Sequence, residues 1–279
     1  MGGDAMEIRR LDLWNGRPPF ALGDAEHDHP VLEAYLPSPE RRTGTAILSF
    51  PGGAYTFLSE RSGRRYGEWF AERGVAVFVV KFRLGAHGYD RRAICADGFA
   101  ALERVHALAG DLGIDRSRIG LVGTSAGGHL AGVMMTGAGR VILDAEGVGR
   151  VAPLDLRPAF SVLCYAVLSL TDPIAHKETR RNFLGGLAED RAMQEAFSPI
   201  LAVRHGCPRA FIWHTTEDTE VSSRHSLLFA DVLERHGVGH ELHLYQRGPH
   251  ALGLALEQGL HWAHDCLRWI ENREPPPPV

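Results

Sequence analysis

The sequence predicts an open, mostly parallel α/β sheet of about eight strands with helices on both faces. Three observations carry that expectation. From residue 45 onward, short apolar runs alternate with amphipathic stretches, the pattern of right-handed βαβ crossovers. Two earlier segments alternate as edge strands do, and the 279 residues with 44% hydrophobic content suffice for one large core. A single domain over 1–279 is the expectation.

In chain order, Ile8–Leu13 and Val31–Leu36 read as edge strands, with Pro18-Pro19 and the polar run Gly23–Pro30 linking them. Glu33 and Tyr35 alternate with Leu32, Ala34 and Leu36, as expected of a half-exposed strand. The later strands are read at Ala46–Phe50, Val75–Phe82, Ile119–Val122, Phe160–Val167, Ala210–Trp213 and Leu242–Tyr245. Residues 91–112 place Ile94, Leu102, Val105, Ala109 and Leu112 mostly at helical steps. A final helix does the same with Leu256, Leu260, Ala263, Leu267 and Ile270. Two long connections interrupt the rhythm: the Gly-rich 137–158, and 168–207, with helix-like pieces at His176–Leu184 and Glu189–Phe197. Such connections build pockets, and 168–207 is the candidate for a small lid. The Pro-rich 275–279 reads as a frayed tail.

Composition excludes several roles. The formal charge of −4 and the dispersed basic residues give no footprint for nucleic acid. No apolar run approaches a membrane span, and the N-terminal residues lack the apolar stretch of a secretory signal, so a cytoplasmic location is expected. Cys95, Cys164, Cys207 and Cys266 lack C-x-x-C spacing and read as reduced thiols. His27-Asp28-His29 and the pair His261 and His264 lack further ligands at recognised spacing, so no metal site is assigned.

The chemistry centres on Gly123-Thr124-Ser125-Ala126-Gly127, a G-x-S-x-G pentamer between an apolar strand and a helix. Small-residue turns also serve packing, but a nucleophile on so tight a turn needs neighbours without side chains. Ser125 is the candidate nucleophile. A base must lie within about 2.6–3.2 Å of it, and a third group must orient that base. Among fifteen histidines, His250 stands out because it follows Leu242–Tyr245, at the carboxyl end of a strand. Asp218, also just past a strand, is the candidate acid. It would otherwise be an N-cap for a helix near Ser222, although Ser222 and Ser223 offer hydroxyls for that cap. Glu217 is the adjacent competitor and Asp172 a fallback. Phe50-Pro51-Gly52-Gly53-Ala54-Tyr55 follows a strand, so the N–H groups of Gly53 and Ala54, with that of Ala126, are candidates for an oxyanion hole. Tyr55, Asp172 and His176 lie in segments suited to lining a substrate pocket. Asp97 reads either as a buried carboxylate bracing a loop or as a solvated helix residue. His129 reads as an anchor for the turn.

These motifs, together with Lys81-Phe82-Arg83-Leu84, Asp115 to Gly120 and Phe183-Leu184-Gly185, span most of the chain in order. In them the sequence resembles the acetyl-xylan-esterase-like carbohydrate esterases of the α/β-hydrolase fold, and more distantly the hormone-sensitive-lipase-like carboxylesterases. The order Ser125, Asp218, His250 is the one that fold uses. The resemblance implies a cofactor-free serine esterase acting on a small acyl ester, with acetylated sugars or short-chain carboxylesters as substrate class. It departs from the lipase-like relatives, which have His-Gly-Gly-Gly where this chain has Pro51 to Ala54. Many relatives also have His-Gly where this one has His250-Ala251. A peptidase or amidase on the same fold shares every residue named, and a non-catalytic binding homologue is the alternative from another class.

Overall fold

The computed structural model describes residues 6–271, so the expected tail at 275–279 lies outside the described residues. Eight strands form one sheet: β1 (Glu7–Asp12), β2 (Val31–Leu36), β3 (Ala46–Phe50), β4 (Ala76–Lys81), β5 (Ile119–Thr124), β6 (Phe160–Cys164), β7 (Arg209–Thr215) and β8 (His240–Tyr245). Their spatial order is β1-β2-β4-β3-β5-β6-β7-β8. β2 runs antiparallel to both β1 and β4, and every other neighbouring pair is parallel. This is the expected mostly parallel sheet, with the first two strands as an antiparallel edge.

Period-two alternation divides the sheet between two cores. Ile47, Val77, Val79, Val122, Phe211 and Trp213 pack on one face beneath α1 (Arg64–Ala71) and α8 (Trp262–Glu271). Leu48, Phe78, Val80, Leu121, Ala210 and Ile212 pack on the other, beneath α2 (Arg91–Leu108), α3 (Ala126–Thr136) and α7 (Arg224–Arg235). The remaining helices are α4 (Arg140–Ala145), α5 (Lys177–Leu184) and α6 (Arg191–Ala196).

Several boundaries differ from the sequence expectations, for identifiable reasons. β6 stops at Cys164 and not at Val167, because Tyr165 turns out of the strand at φ +38° and Val167 donates to the Ser125 carbonyl. α8 begins at Trp262, since Gly259 at φ +71° turns the chain there and leaves Leu256 and Leu260 outside the helix. α1 and α4 were not expected: Gly63 and Gly139 at their N-caps supply no side-chain cap, so neither start is marked in sequence. The segment 168–207 is packed, not detached. Phe183 and Phe197 are fully buried, and Phe183 packs tilted against the Tyr55 ring and edge-on to that of His129. Of the two readings for Asp97, the buried brace is observed. It accepts from the Arg83 guanidinium at 2.7 and 2.8 Å, the Arg83 amide at 3.1 Å and the Trp14 indole at 2.9 Å.

The strand order reverses around β3, whose neighbours are β4 on one side and β5 on the other. Open parallel sheets form a crevice at such a reversal, outside the carboxyl ends of their strands. Phe50 at the end of β3 pairs with Gly123 of β5, which sets the loop after β3 directly beside the turn after β5.

Candidate active site

Ser125 sits in that turn at φ +53°, ψ −119°, a conformation that side-chain-bearing residues rarely adopt. Close neighbours hold it there. Its amide donates to the Cys164 carbonyl at 3.0 Å, and its carbonyl accepts from His129 and Val167, both at 3.1 Å. The flanking glycines are a steric requirement: a Cβ at Gly127 would lie 2.0 Å from the Phe50 carbonyl oxygen, and one at Gly123 would lie 2.5 Å from that of Gly127. The strained geometry lifts the hydroxyl to the end of the sheet.

His250 reaches it from the loop after β8. The Ser125 hydroxyl lies 2.9 Å from His250 Nε2, and His250 Nδ1 lies 2.6 Å from Asp218 Oδ2. Since a carboxylate only accepts, Nδ1 carries the imidazole proton and Nε2 is left to accept from the serine. The loop is pinned on both sides of Gly248, whose carbonyl accepts from Thr215 Oγ1 at 2.7 Å and whose amide donates to Glu217 Oε2 at 3.1 Å. Glu217, the competitor to Asp218, therefore serves the loop and not the imidazole. The Tyr165 ring meets the His250 ring edge-on at 5.0 Å, and its hydroxyl accepts from the Gly253 amide.

Asp218 closes its own turn: Oδ1 accepts from the amides of Glu220 at 3.0 Å and Val221 at 2.9 Å. It does not cap α7, where Ser222 Oγ accepts from the Arg224 amide instead. Burial acts to raise the Asp218 pKa, but the donors from His214, His250 and Val221 outweigh it and hold the carboxyl well below the usual range. The Asp218 carboxyl is thus ionised at neutral pH.

A cavity of about 170 Å³ opens above the serine. Gly52, Gly53 and Ala54 form one wall and His176 and Glu178 another, with Glu220 and His250 nearby. Gly53 takes φ +128°, and a Cβ there would lie 2.2 Å from the Phe57 carbonyl oxygen. Ala54 follows at φ +53°. α5 ties this loop down, because Asn182 Nδ2 donates to the Ala54 carbonyl at 2.8 Å and Thr56 Oγ1 donates to Glu178 Oε1 at 2.9 Å. Ala126 is the first residue of α3, so its N–H is one of the donors a helix leaves free at its start.

The three residues expected to line the pocket have different fates. His176 does line it, and burial, with His250 close by, pushes its pKa down. Tyr55 is turned inward and only 1% exposed, its hydroxyl 2.9 Å from His129 Nδ1 beneath the loop. Asp172 points outward, its side chain 62% exposed and paired with Arg180. Tyr55 and Asp172 are corrected on this point, since neither borders the cavity. His129 anchors the turn, its Nε2 donating to the Phe197 carbonyl at 2.8 Å. Sequence reasoning missed Glu178 and Glu220 on the walls and His214 behind Asp218. Only their proximity in sequence to His176 and Asp218 pointed to them.

Larger clefts, of about 390 and 750 Å³, lie along the β1–β2 edge, and none of Ser125, Asp218 and His250 borders them. Near them, His27 stacks on His87 and Asp28 accepts from the Tyr89 hydroxyl. Among the described residues, no group of three or more His, Cys, Asp or Glu side chains is placed to hold a metal ion. Nor is any helix among them long and apolar enough to cross a membrane.

Comparison with known proteins gives a consistent picture. The chain is 32% identical over 259 residues to an acetylxylan esterase of Xylanibacter ruminicola, an alignment covering 91% of this chain and 50% of that one. It is 26% identical over 248 residues to a probable isoprenylcysteine alpha-carbonyl methylesterase of Oryza sativa subsp. japonica, covering 85% and 57% respectively. The chain thus spans about half the length of these curated relatives. Among solved structures, the acetyl ester-xyloside bifunctional hydrolase of Caldicellulosiruptor lactoaceticus superposes with a TM-score of 0.81 at 33% identity, covering 96% of both chains. The BD-FAE family model matches residues 32–233, through the strands and turns that carry Ser125 and Asp218. With that match spanning most of its length, the chain belongs to the BD-FAE family, on an α/β-hydrolase fold.

Proposed function

We propose that the protein is a serine hydrolase of carboxylic esters. Ser125 is the nucleophile, His250 the general base and acid, and Asp218 the group that orients His250. The observation that carries this reading is the unbroken relay from Ser125 Oγ to His250 Nε2 at 2.9 Å and from His250 Nδ1 to Asp218 Oδ2 at 2.6 Å. As Ser125 attacks the ester carbonyl, His250 takes its proton, and Asp218 stabilises the resulting imidazolium. Collapse of the tetrahedral intermediate sends that proton to the leaving alcohol and leaves an acyl-serine. Water, deprotonated by the same imidazole, then releases the acid. The N–H groups of Gly53, Ala54 and Ala126 surround the site where the oxyanion forms, and removing one such donor typically costs about 10²–10³ in rate.

The cavity's size favours a small acyl group, and its polar walls of Ser59, Ser62, His176, Glu178 and Glu220 suit a hydroxylated alcohol. Acetyl or other short-chain esters, including acetylated sugars, are the substrate class these features favour. The names of the acetylxylan esterase and the acetyl ester-xyloside hydrolase agree with it. Four unpaired thiols support a reducing, cytoplasmic setting.

The test is a panel of p-nitrophenyl esters of increasing acyl length, acetylated xylo-oligosaccharides and matched amides, assayed on the wild type and on Ser125→Ala. Short esters are expected to turn over far faster than amides, and Ser125→Ala to lose at least a thousand-fold in kcat. Full activity in Ser125→Ala would sink the nucleophile assignment, and preference for amides would replace the esterase by an amidase.

A further inference from the structure

His214 lies on β7, fully buried, and takes no direct part in the chemistry outlined above. Its Nε2 lies 2.9 Å from the Val221 carbonyl oxygen and 3.2 Å from Asp218 Oδ2, the same oxygen that accepts from His250. Carbonyl and carboxylate oxygens only accept, so Nε2 carries a proton shared between them. The same tautomer leaves Nδ1 to accept from the buried Ser226 hydroxyl at 2.8 Å, so Ser226 favours the form with the proton on Nε2. Asp218 therefore receives two imidazole N–H groups on Oδ2 and two backbone amides on Oδ1.

We propose that His214 is a positioning residue for His250. By holding Asp218 Oδ2 with a second N–H, it fixes the carboxylate that orients the base and limits how strongly that carboxylate draws a proton onto the imidazole. The physical reason is competition. A carboxylate oxygen that accepts from two donors offers less charge to each, and in a buried site little solvent is available to replace a lost donor. The inference rests on the esterase reading for its kinetic test but not for its spectroscopic one.

The titratable groups facing His250 are Asp218 and Glu220 from the turn after β7, His176 and Glu178 at the start of α5, and Tyr165 after β6. All remain in place in the variants used. His214→Phe removes the shared N–H while keeping a ring in the space. His214→Gln restores a side-chain N–H donor. In kcat/KM against pH, the acid limb of His214→Phe is expected about one pH unit above that of the wild type. Its plateau should fall about ten-fold, and His214→Gln should recover much of both. Ser226→Ala, which keeps the imidazole but removes the hydroxyl behind it, should move the limb the same way by less, and serves if His214→Phe does not fold.

A merely structural role would lower the plateau and leave the limb where it was, and that result overturns the proposal. The second arm records the downfield proton resonance of the His250–Asp218 hydrogen bond by NMR on the Ser125→Ala protein. It should move on adding His214→Phe or Ser226→Ala and return toward its position with His214→Gln. An unmoved resonance overturns the proposal as well. Absence of ester hydrolysis in the wild type would refute the functional reading alone, and the resonance would then decide the role of His214.

Discussion

The two other fully buried histidines near the site, His129 and His225, make acid stability a sharp test of how the core beside Ser125 is held. His129 accepts from the Tyr55 hydroxyl at Nδ1 and donates to the Phe197 carbonyl from Nε2. His225 Nδ1 lies 3.1 and 3.2 Å from the amides of Leu168 and Ser169, so it must accept, while Nε2 donates to the Ile174 carbonyl at 2.8 Å. A proton on that Nδ1 would face two N–H donors. Burial pushes both pKa values down from 6.5 to about 4. The unfolded chain therefore binds protons below about pH 6.5 that the native protein refuses until about pH 4, so stability rises with pH across this window and is lost as pH falls through it. At about 1.36 kcal/mol per pH unit for each bound proton, each histidine removes about 3 kcal/mol by pH 4. Together that is on the order of 6 kcal/mol, against a total of about 5–15 kcal/mol for a typical domain. The assay is urea denaturation followed by tryptophan fluorescence from pH 7.5 to 4, on the wild type, His129→Gln and His225→Gln. Each variant starts less stable at pH 7.5, but its slope of stability against pH should be shallower by about 1.4 kcal/mol per unit. Equal slopes for all three proteins would refute the reasoning, because neither imidazole would then be held neutral by burial.

Other outcomes follow from single contacts. Gly127→Ala drives a methyl to 2.0 Å from the Phe50 carbonyl, so the turn must open; activity should fall at least a hundred-fold, read as kcat on a short ester, and soluble yield should drop. Arg83→Leu leaves Asp97 buried without its guanidinium partner and should cost about 3–5 kcal/mol in urea unfolding at neutral pH. Asn182→Ala frees the Ala54 carbonyl from α5 and loosens the loop after β3; a several-fold loss of kcat with an intact fold by circular dichroism is expected. Asp218→Asn keeps the shape of the site but favours the wrong imidazole tautomer, and should cut kcat by about 10⁴ without a matching loss of stability.

Much of the architecture was legible because it is written in short stretches of chain. β3 was located residue for residue, since Ala46–Phe50 is a wholly buried run, apolar except for Ser49, bounded by Thr45 and Pro51. The pentamer around Ser125 was legible for a related reason: only glycine survives where a Cβ would meet the Phe50 carbonyl, so sterics write themselves into the sequence. α1 and α4 were not legible, because burial of Tyr66, Trp69 and Phe70, not a capping signal, holds α1 in place.

The sequence alone determined the strand grammar, the tight turn at Ser125, and the order in which a serine, an acid and a histidine follow strand ends. Only the tertiary structure decided which side chains meet. It turned Tyr55 inward onto His129, sent Asp172 out to Arg180, and set His176 in the cavity wall. It also laid His214 against the same carboxylate oxygen as His250. The reason is physical: backbone preference is set by neighbours a few residues away, whereas the direction of a loop side chain depends on partners brought near only by folding, as His250 and Ser125 are across 125 positions.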